Sequence, residues 1–352
     1  MRVAVVAMET PRHRDTEGRR RLDRLATHLA DAGHEVTVFC AQWWDGQNSR
    51  FEPENVAYRA VTTSPTEPSF CLRLPVLLAS HNPDVIHALS HPPGIALAAG
   101  LGGSLARSPV AVDWFGDESL PQSRTTGLAL RWADRLTVPA QMQQTHLRER
   151  GYDDGRTAIV PESIDMATVR ETDPAEDIDV VYAHPLDESA NVESLLLGLA
   201  ELRDRDWSAT IVGDGPERGA YEQEVADLRI DDRVTFAGEC DRERRVAIYK
   251  GAHTFVQTAV REQFATELLW AMACGCLGIV EYQAESSAHE LVEQRDRAFR
   301  VTNPQEIADT IVESADRERL DIDDSFAEFD HDTVRKQYET LYEDLVAEHG
   351  LF

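Results

Sequence analysis

The chain has 352 residues, of which 63 are acidic and 35 basic, so its formal net charge at pH 7 is −28. So acidic a surface repels the phosphate backbone of nucleic acids, which excludes general nucleic-acid binding. Hydrophobic residues make up 42% of the chain and charged residues 28%. These proportions are typical of a globular protein and exclude a disordered one.

Neither a membrane-spanning segment nor a secretion signal is indicated. The sequence has no run of about 18 apolar residues, which a transmembrane helix would need. The N-terminal apolar run is too short for a signal peptide and is typical of a buried strand. The five cysteines are scattered and odd in number, which favours a reducing compartment. We therefore predict a cytoplasmic protein with at most peripheral membrane contact. Cys274 and Cys276 lack further ligands at zinc-finger spacing and are predicted to be small buried residues.

The first half of the chain alternates short apolar runs with helical patterns. Arg2–Met8 predicts a strand buried on both faces, Arg19–Ala32 a helix, and Glu35–Cys40 a second strand. Such a unit implies a parallel strand pair with a right-handed crossover. Further strands are predicted at Val56–Val61, Val85–Ala88, Val110–Trp114, Leu136–Pro139 and Ala158–Pro161, and helices around Cys71–Ser80, Gly94–Leu105 and Gln141–Arg150. The repeat predicts a doubly wound parallel sheet.

The second half repeats this alternation after a polar, acidic segment, Thr168–Asp179, which is predicted to be a linker. Strands are predicted at Val180–Ala183, Ser208–Val212, Val234–Ala237, Thr254–Gln257 and Leu277–Val280, and helices at Val192–Asp204, Glu217–Leu228, Asp241–Gly251 and Thr266–Cys274. Asp330–Glu348 has the spacing of an amphipathic helix. The sequence therefore predicts two α/β, Rossmann-like domains that face a cleft, residues 1–170 and 171–325, followed by a C-terminal helical segment, 326–352.

A glycine-containing turn follows one predicted strand of the second half. Gly213, Asp214 and Gly215 require either a positive φ or a close approach of the backbone, and Pro216 begins the next helix. Such a turn is by itself more typical of an ordinary strand-to-helix connection than of a binding site.

The segment Arg261–Gly275 opens a helix that is rich in apolar residues. Amide groups at the start of this helix would meet an anion, and the helix dipole would add about half a positive charge there. The candidate residues are Phe264, Ala265, Thr266 and Glu267. Glu262, in the preceding loop, is either an acceptor for ligand hydroxyl groups or a solvated acid.

Taken together, these segments resemble a known family. IVGDGPERGAYE, DDRVTFAGE and YKGAHTFVQTAVREQFATELLWAMACG resemble the donor-binding domain of family 4 glycosyltransferases, which have the GT-B fold. Gly33–Val38, Asp84–Ala88, Ala133–Val138 and Val160–Asp165 resemble segments of the family's first domain. Phe329–Leu345 resembles the family's C-terminal helix, which implies that residues 326–352 return to the first domain. Lysine occurs only at Lys250 and Lys336, and this lysine-poor, acid-rich composition resembles that of halophilic archaea, where concentrated salt screens charge repulsion.

The resemblance implies transfer of a hexose from a nucleotide-sugar donor to a glycan, lipid-linked or small-molecule acceptor, with retention of configuration. The second domain would hold the donor through Gly213, Asp214, Gly215, His184 and the Phe264–Glu267 stretch, and Glu262 would act in catalysis. The first domain would hold the acceptor. Neither a metal nor a cofactor is implied, because a helix N-terminus and basic side chains stabilise the leaving diphosphate.

The second domain departs from the family pattern at two places. Trp270 stands where the family has a second acid, and Glu267, which lies one turn earlier on that helix, is predicted to contact the ribose instead. Pro185 and Ala190 stand where the family has the arginine and lysine of its diphosphate clamp. His184 is then the nearest candidate cation, although a structural histidine at a strand end is equally compatible with the pattern.

The first domain offers further candidates. Arg14, Thr16 and Gly18 lie at the position of the family's glycine-rich loop, near donor phosphate or acceptor, or else form a solvated basic run. Asp113 or Asp117 stands near the family's histidine and is a candidate to orient or deprotonate the acceptor, or a plain loop acid. Asp177 and Asp179 form an Asp-x-Asp pair, but the pair precedes its strand, which argues against a metal site.

Two alternatives to a transferase remain open. The missing clamp and second acid are compatible with a degenerate, non-catalytic protein that binds a nucleotide sugar or a partner enzyme. A GT-B epimerase of nucleotide sugars would share the same architecture. Release of nucleoside diphosphate only with acceptor indicates transfer, binding without turnover indicates the degenerate protein, and product formation without acceptor indicates the epimerase.

Overall fold

The computed structural model describes residues 1–116 and 124–350. Its strands are β1 (Arg2–Val6), β2 (Glu35–Ala41), β3 (Arg50–Phe51), β4 (Ala57–Thr62), β5 (Val85–Leu89), β6 (Val110–Asp113), β7 (Arg135–Val138), β8 (Thr157–Ile159), β9 (Ile178–Ala183), β10 (Ala209–Val212), β11 (Val234–Gly238), β12 (Ala252–Gln257), β13 (Arg261–Glu262), β14 (Leu277–Glu281), β15 (Glu285–Ser286) and β16 (Ala298–Val301).

Helices separate most of the consecutive strands. They are α1 (Glu17–Asp31), α2 (Glu67–His81), α3 (Pro93–Ala106), α4 (Arg124–Trp132), α5 (Gln141–Glu149), α6 (Met166–Glu171), α7 (Val192–Glu201), α8 (Arg218–Leu228), α9 (Arg242–Gly251), α10 (Thr266–Ala273), α11 (Ala288–Val292), α12 (Pro304–Ser314) and α13 (His331–His349). Short 3₁₀ helices lie at Asp154–Arg156 and Asp324–Phe329. No helix in the described ranges is both long and apolar enough to span a bilayer.

These elements form two compact units. The first unit comprises Met1–Glu162 and Asp332–Phe352. Its sheet has the order β3-β4-β2-β1-β5-β6-β7-β8, and every neighbouring pair except β3–β4 is parallel. Residues Val3–Val6 are at most 1% exposed, because helices cover a parallel sheet on both faces. Side chains of α2, α3 and α4 pack on one face, and those of α1 and α13 pack on the other.

The second unit comprises Ser163–His331. Its main sheet has the order β11-β10-β9-β12-β14-β16 with parallel neighbours throughout, and β13 pairs with β15 in a separate parallel pair. The strand order reverses beside β9, so the carboxyl ends of β9 and β12 lie where doubly wound sheets bind ligands. The predicted fold class, two doubly wound Rossmann-like sheets, is confirmed.

The units begin and end at different residues from the predicted domains. Part of the predicted linker Thr168–Asp179 is helical, because the Oδ1 atom of Asp165 accepts a hydrogen bond from the amide of Ala167 at 2.9 Å and caps α6. This short helix packs against α9 and α10 of the second unit. A bridge between Ile164 and Asp330 joins the two ends of that unit.

Candidate functional site

In the second unit, two loops at the carboxyl ends of β9 and β10 pack backbone against backbone. Gly213 has φ +130°, and a Cβ there would collide with the carbonyl oxygen of His184, while a Cβ on Gly215 would collide with that of Leu186. The Leu186 amide donates to the Asp214 carbonyl at 3.0 Å. Both glycines of the predicted turn are therefore required by the chain's own packing.

Asp214 is exposed and serves the same turn. Its Oδ1 atom accepts a hydrogen bond from the Gly215 amide at 2.7 Å, and its Oδ2 atom lies 3.3 Å from Nη1 of Arg218. The side chain therefore stabilises the turn and the start of α8, and its exposed position leaves further lone pairs open to a ligand.

Glu262 and His184 come together beside this turn. The Nε2 atom of His184 lies 3.4 Å from Oε2 of Glu262, and the same oxygen accepts a hydrogen bond from Nε2 of Gln257 at 3.1 Å. The side chains of His184 and Glu262 are 11% and 20% exposed, so both retain access to solvent. The structure thus places two predicted site residues in contact, at the carboxyl ends of β9 and β12.

The hydrogen bonds around His184 favour its protonated form. The Nδ1 atom lies 2.7 Å from the carbonyl oxygen of Pro185, an atom that only accepts, and Nε2 faces the carboxylate of Glu262, which also only accepts. Burial acts to lower the pKa of His184, but the hydrogen bond and charge of Glu262, with help from the Pro185 carbonyl, outweigh burial and raise it above its ordinary value. His184 is therefore a histidine suited to carry positive charge at this edge of the sheet.

The start of α10 differs in detail from the prediction. Ala265 has φ −77° and ψ 71°, and the Thr266 amide donates to the carbonyl of Phe264 at 2.8 Å, which makes an inverse γ-turn. The first amide that bonds one helical turn back is that of Leu269, to Ala265 at 2.9 Å. The Thr266 amide is thus engaged, and the amides of Glu267 and the next residue are the ones that helix geometry leaves for an anion.

Glu267 does not have the free carboxylate that the predicted ribose contact needs. Arg242 donates to both carboxylate oxygens at 2.9 and 3.0 Å, Arg245 donates at 2.9 Å, and Tyr249 donates at 2.5 Å. Burial acts to raise the pKa of Glu267, but the two arginines and the tyrosine hold it below its ordinary value. All three donors lie on α9, so Glu267 ties α10 to α9 in an ion cluster. This pairing argues against the ribose contact, which stays a prediction.

Phe264 and Trp270 are packing residues. Phe264 is 5% exposed and its ring lies 6.5 Å from that of Phe329. Trp270 stands where the family has its second acid. It is also 5% exposed, and the guanidinium of Arg242 lies 4.8 Å from the centre of its ring. An apolar ring therefore occupies the family's acidic position, and the arginine over it is already paired with Glu267.

Gln257 and the residues beneath it were missed in the sequence. Gln257 is 2% exposed, and its Oε1 atom has no hydrogen-bond partner among the described residues. Beneath it, Nδ2 of Asn191 donates to the Thr258 carbonyl at 3.0 Å and to Glu281 at 3.1 Å. One signal was available: Gln257 and Glu281, both polar, end strands β12 and β14 at the carboxyl edge, after the apolar pairs Phe255–Val256 and Ile279–Val280.

In the first unit, the predicted loop leads directly into α1. Thr16 is the N-cap residue, and its Oγ1 atom accepts a hydrogen bond from Nη1 of Arg19 at 3.0 Å. Gly18 is buried within α1, whereas Arg14 is exposed. Arg19 also donates to Glu9 at 2.7 Å. Of the three predicted residues, Arg14 has the exposure that a phosphate contact would need.

Asp113 lies in a closed ion cluster. It is 0% exposed, its Oδ1 atom accepts from Thr137 at 2.6 Å, and Nε of Arg21 lies 3.3 Å away. Arg21 also donates to Glu162 at 3.1 Å. Burial and the pairing with Arg21 argue against the predicted role of Asp113 as an acceptor-side acid or base, and that role stays a prediction. Asp117 lies outside the described residues.

Residues 1–116 and 124–350 contain no group of three or more His, Cys, Asp or Glu side chains arranged to hold a metal ion. In the Asp-x-Asp pair, Asp177 is 93% exposed and pairs with Arg319 at 3.2 Å. Asp179 lies within β9 and accepts from the Ser208 amide at 2.8 Å. The two carboxylates are thus engaged with different partners.

Each of the two units matches a known protein family. Residues 17–162 match the Glycosyl transferase 4-like domain, and residues 168–321 match Glycosyl transferases group 1. The chain belongs to the family 4-like glycosyltransferases of GT-B fold. The matches leave out only residues 1–16, 163–167 and 322–352, so the family covers most of this glycosyltransferase chain.

Individual relatives are more distant. Over 154 residues the glycosyltransferase chain is 30% identical to N-acetyl-alpha-D-glucosaminyl L-malate synthase of Bacillus anthracis, which covers 40% of this chain and 38% of that protein. The match thus spans well under half of the curated relative. A glycosyltransferase structure from Rickettsia africae ESF-5 has a TM-score of 0.80 at 13% identity, covering 98% of both chains. Alr3699/HepE of Anabaena, in complex with UDP, has a TM-score of 0.76 at 19% identity, covering 97% of this chain and 100% of that one. At these identities the structures show a shared fold alone.

Proposed function

We propose that this protein transfers a hexose from a nucleotide-sugar donor to a glycan, lipid-linked or small-molecule acceptor, with retention of configuration and without a metal. The observation that carries the proposal is the contact between His184 and Glu262 at the carboxyl ends of β9 and β12. A cation and a carboxylate side by side suit the two ends of a sugar diphosphate. The cation would face the diphosphate, and the carboxylate would accept hydroxyl groups of the sugar.

The remaining donor contacts would come from backbone and amide groups. Amides at the start of α10, with the positive end of the helix dipole, would face the diphosphate in place of the missing clamp. The unpartnered Oε1 atom of Gln257 would accept one further ligand hydroxyl. The exposed turn at Asp214 lies beside the same strand ends. In this arrangement Glu262 is the catalytic residue that touches the sugar.

The comparisons support a nucleotide-sugar donor. Structures of Anabaena Alr3699/HepE hold UDP, UDP and glucose, or UDP-glucose, at TM-scores of 0.76, 0.72 and 0.71. The first unit would then hold the acceptor, with Arg14 as its exposed candidate. The acidic, lysine-poor composition supports a halophilic, archaeal protein of the cytoplasm that works in concentrated salt.

A donor screen in concentrated salt tests the proposal. We expect a nucleotide sugar to raise the melting temperature, since a ligand at about 100 times its Kd adds about 2.7 kcal/mol of stability. Release of nucleoside diphosphate should require acceptor. Glu262→Gln should lower kcat/KM at least about tenfold, because it removes a charged hydrogen-bond acceptor. Glu285→Gln is the matched control, because Glu285 is 67% exposed and lies on the paired strand β15. Equal activity of both variants would contradict the proposal.

A second candidate function is a degenerate, non-catalytic member that binds a nucleotide sugar or a partner enzyme. Residues 184–191 contain no lysine or arginine, and Ala190, at the family's lysine position, is 0% exposed. Ligand-induced stabilisation without turnover for any acceptor would favour this candidate. Product formation without acceptor would instead favour a nucleotide-sugar epimerase.

A further inference from the structure

Three neighbouring helices of the first unit expose large apolar side chains. Each helix carries a pair of them four residues apart, which places both on one side of the helix. The six are Leu72 (80% exposed) and Val76 (66%) on α2, Leu101 (44%) and Leu105 (58%) on α3, and Leu128 (45%) and Trp132 (43%) on α4. These six residues, here called the apolar face, are more than half of the eleven large apolar side chains exposed among the described residues.

The three helices lie side by side on one face of the sheet. Gly102 of α3 packs against α2, where a Cβ would lie 2.6 Å from Cδ1 of Leu78. Gly100 of the same helix packs against α4, where a Cβ would lie 3.1 Å from Cβ of Trp132. Because the glycines bring the helix backbones close together, the three exposed pairs form one surface instead of isolated apolar residues.

The charged side chains on and beside the three helices of the apolar face are mainly basic, although the formal net charge of the whole chain is −28. Glu67 is the only acidic residue in α2, α3 and α4, and α3 contains no charged residue at all. Arg73, Arg107 and Arg131 are exposed on or beside these helices. Arg73 and Arg107 make no salt bridge with any residue in 1–116 or 124–350. Acidic residues, which outnumber basic ones by 63 to 35 in the whole chain, are thus depleted here.

We propose that the apolar face docks on an anionic lipid surface. The leucines, valine and tryptophan would enter the interface between head groups and acyl chains, and the three arginines would face lipid phosphates. Because the net charge of the whole chain is −28, such a surface repels the protein on average, and a basic apolar face would favour one orientation of the first unit on it. The inference rests on the surface alone and does not depend on the proposed transfer reaction.

A second copy of the chain fits this face less well. A two-fold interface would place the arginines of both copies in one interface, and Glu67 is the only acidic residue of α2, α3 and α4 that could offset them. Leucine and tryptophan with flanking arginine are typical of surfaces that lie on lipid.

Flotation with vesicles of phosphatidylglycerol and phosphatidylcholine tests the proposal on the full chain. We expect the protein to float with mixed anionic vesicles. Leu72→Gln/Val76→Gln should lower the bound fraction about tenfold, because two apolar side chains lose their burial. Leu197→Gln/Val346→Gln is the matched control, because these side chains are exposed but lie on α7 and α13. Binding that is lost equally in both double variants, or in neither, would overturn the proposal.

Charge and self-association are tested separately. Arg73→Gln/Arg107→Gln should weaken flotation with anionic vesicles at the lowest salt at which the protein stays folded, and much less at about 1 M KCl, where the screening length is about 3 Å. Arg244→Gln, an exposed arginine on α9, is the control. A wild-type protein that stays unbound under both conditions would overturn the proposal. The proposal would also be overturned if analytical ultracentrifugation showed a dimer that Leu72→Gln/Val76→Gln converts to monomer while vesicle binding stays unchanged.

Discussion

Gly213 lies directly against the backbone of His184. The His184 amide donates to the Val212 carbonyl at 3.2 Å, and the Gly213 amide donates to Gly238 at 2.9 Å, so the turn is fixed on both sides. With φ at +130° and the His184 carbonyl in the space of a Cβ, only glycine fits this position. The turn thereby holds the candidate cation in place beside Glu262.

Gly213→Ala should therefore destabilise the second unit by more than about 2 kcal/mol, because it combines a strained φ with a backbone collision. Gly219→Ala is the matched control, since Gly219 lies in α8 with nothing within 4 Å of a Cβ. That substitution should stabilise the protein by about 0.5–1 kcal/mol. Urea unfolding measures both changes. Equal effects of the two substitutions would show that the packing of this turn is not what requires glycine.

Glu267→Gln should lower the free energy of unfolding by about 1–3 kcal/mol, because a neutral amide cannot satisfy Arg242 and Arg245 together. The KM for the donor should change less than about threefold. Glu243→Gln, at an exposed position in the first turn of α9, should stay within about 0.5 kcal/mol of wild type. Unfolding curves and donor kinetics give the two quantities. A raised KM with unchanged stability would restore the ribose contact predicted from the sequence.

The raised pKa of His184 gives donor binding a definite pH dependence. The histidine is protonated in the folded protein up to a pH above its ordinary pKa of 6.5. Its contribution to stability is therefore complete below the unfolded pKa and is lost as pH rises through the folded pKa. We expect donor affinity to fall over the same rise, and His184→Gln to bind about tenfold more weakly at low pH and to lose this pH dependence. Calorimetric titration across pH tests this, with His349→Gln as an exposed control.

The buried cluster of the first unit predicts instability in acid. Burial lowers the pKa of His87 from 6.5 to about 4, so its contribution to stability is present above pH 6.5 and is lost as pH falls towards 4. The shift corresponds to about 3 kcal/mol. Burial acts to raise the pKa of Glu162, but Arg24 and Arg21 hold it below its ordinary value of 4.5, so further stability is lost in stronger acid.

His87→Gln should accordingly remove the part of the loss between pH 6.5 and 4. The part below pH 4.5, which depends on Glu162, should remain. His146→Gln changes a half-buried histidine of α5 and should leave the whole profile as in wild type. Melting temperatures measured in a series of buffers give these profiles. A His87→Gln profile that follows wild type through this range would contradict the assignment.

The sheets of both units could be predicted because their strands are apolar runs bounded by turns. Val180–Ala183 was predicted and lies within β9, and Thr266–Cys274 was predicted where α10 spans Thr266–Ala273. Helices α4, α11 and α12 and strands β3, β13, β15 and β16 were not predicted, and α6 lay partly within the expected linker. The start of α6 depends on one side-chain oxygen of Asp165, a local contact that apolar periodicity does not report.

The sequence marked individual residues of the candidate site but not their pairings. The sequence marked His184 and Glu262 as separate candidates, 78 positions apart, and the structure joins them. Glu267 was marked because it lies one helical turn before the position of the family's second acid, and Asp113 because it ends a strand near the family's histidine. Their partners on α9 and at Arg21 lie on other elements. Only the tertiary fold shows that these two carboxylates are already neutralised.

The position of helix α13 determines the order in which the two units can fold during synthesis. Tyr338 and Tyr342 of this helix are 3% and 0% exposed, and the hydroxyl of Tyr342 lies 2.6 Å from Nδ1 of His87 in β5. The sheet of the first unit is synthesised first, but its packing is completed only by side chains of α13, which is synthesised last. During translation, all residues of the second unit, Ser163–His331, are therefore synthesised before the first unit, which also needs Asp332–Phe352, is complete.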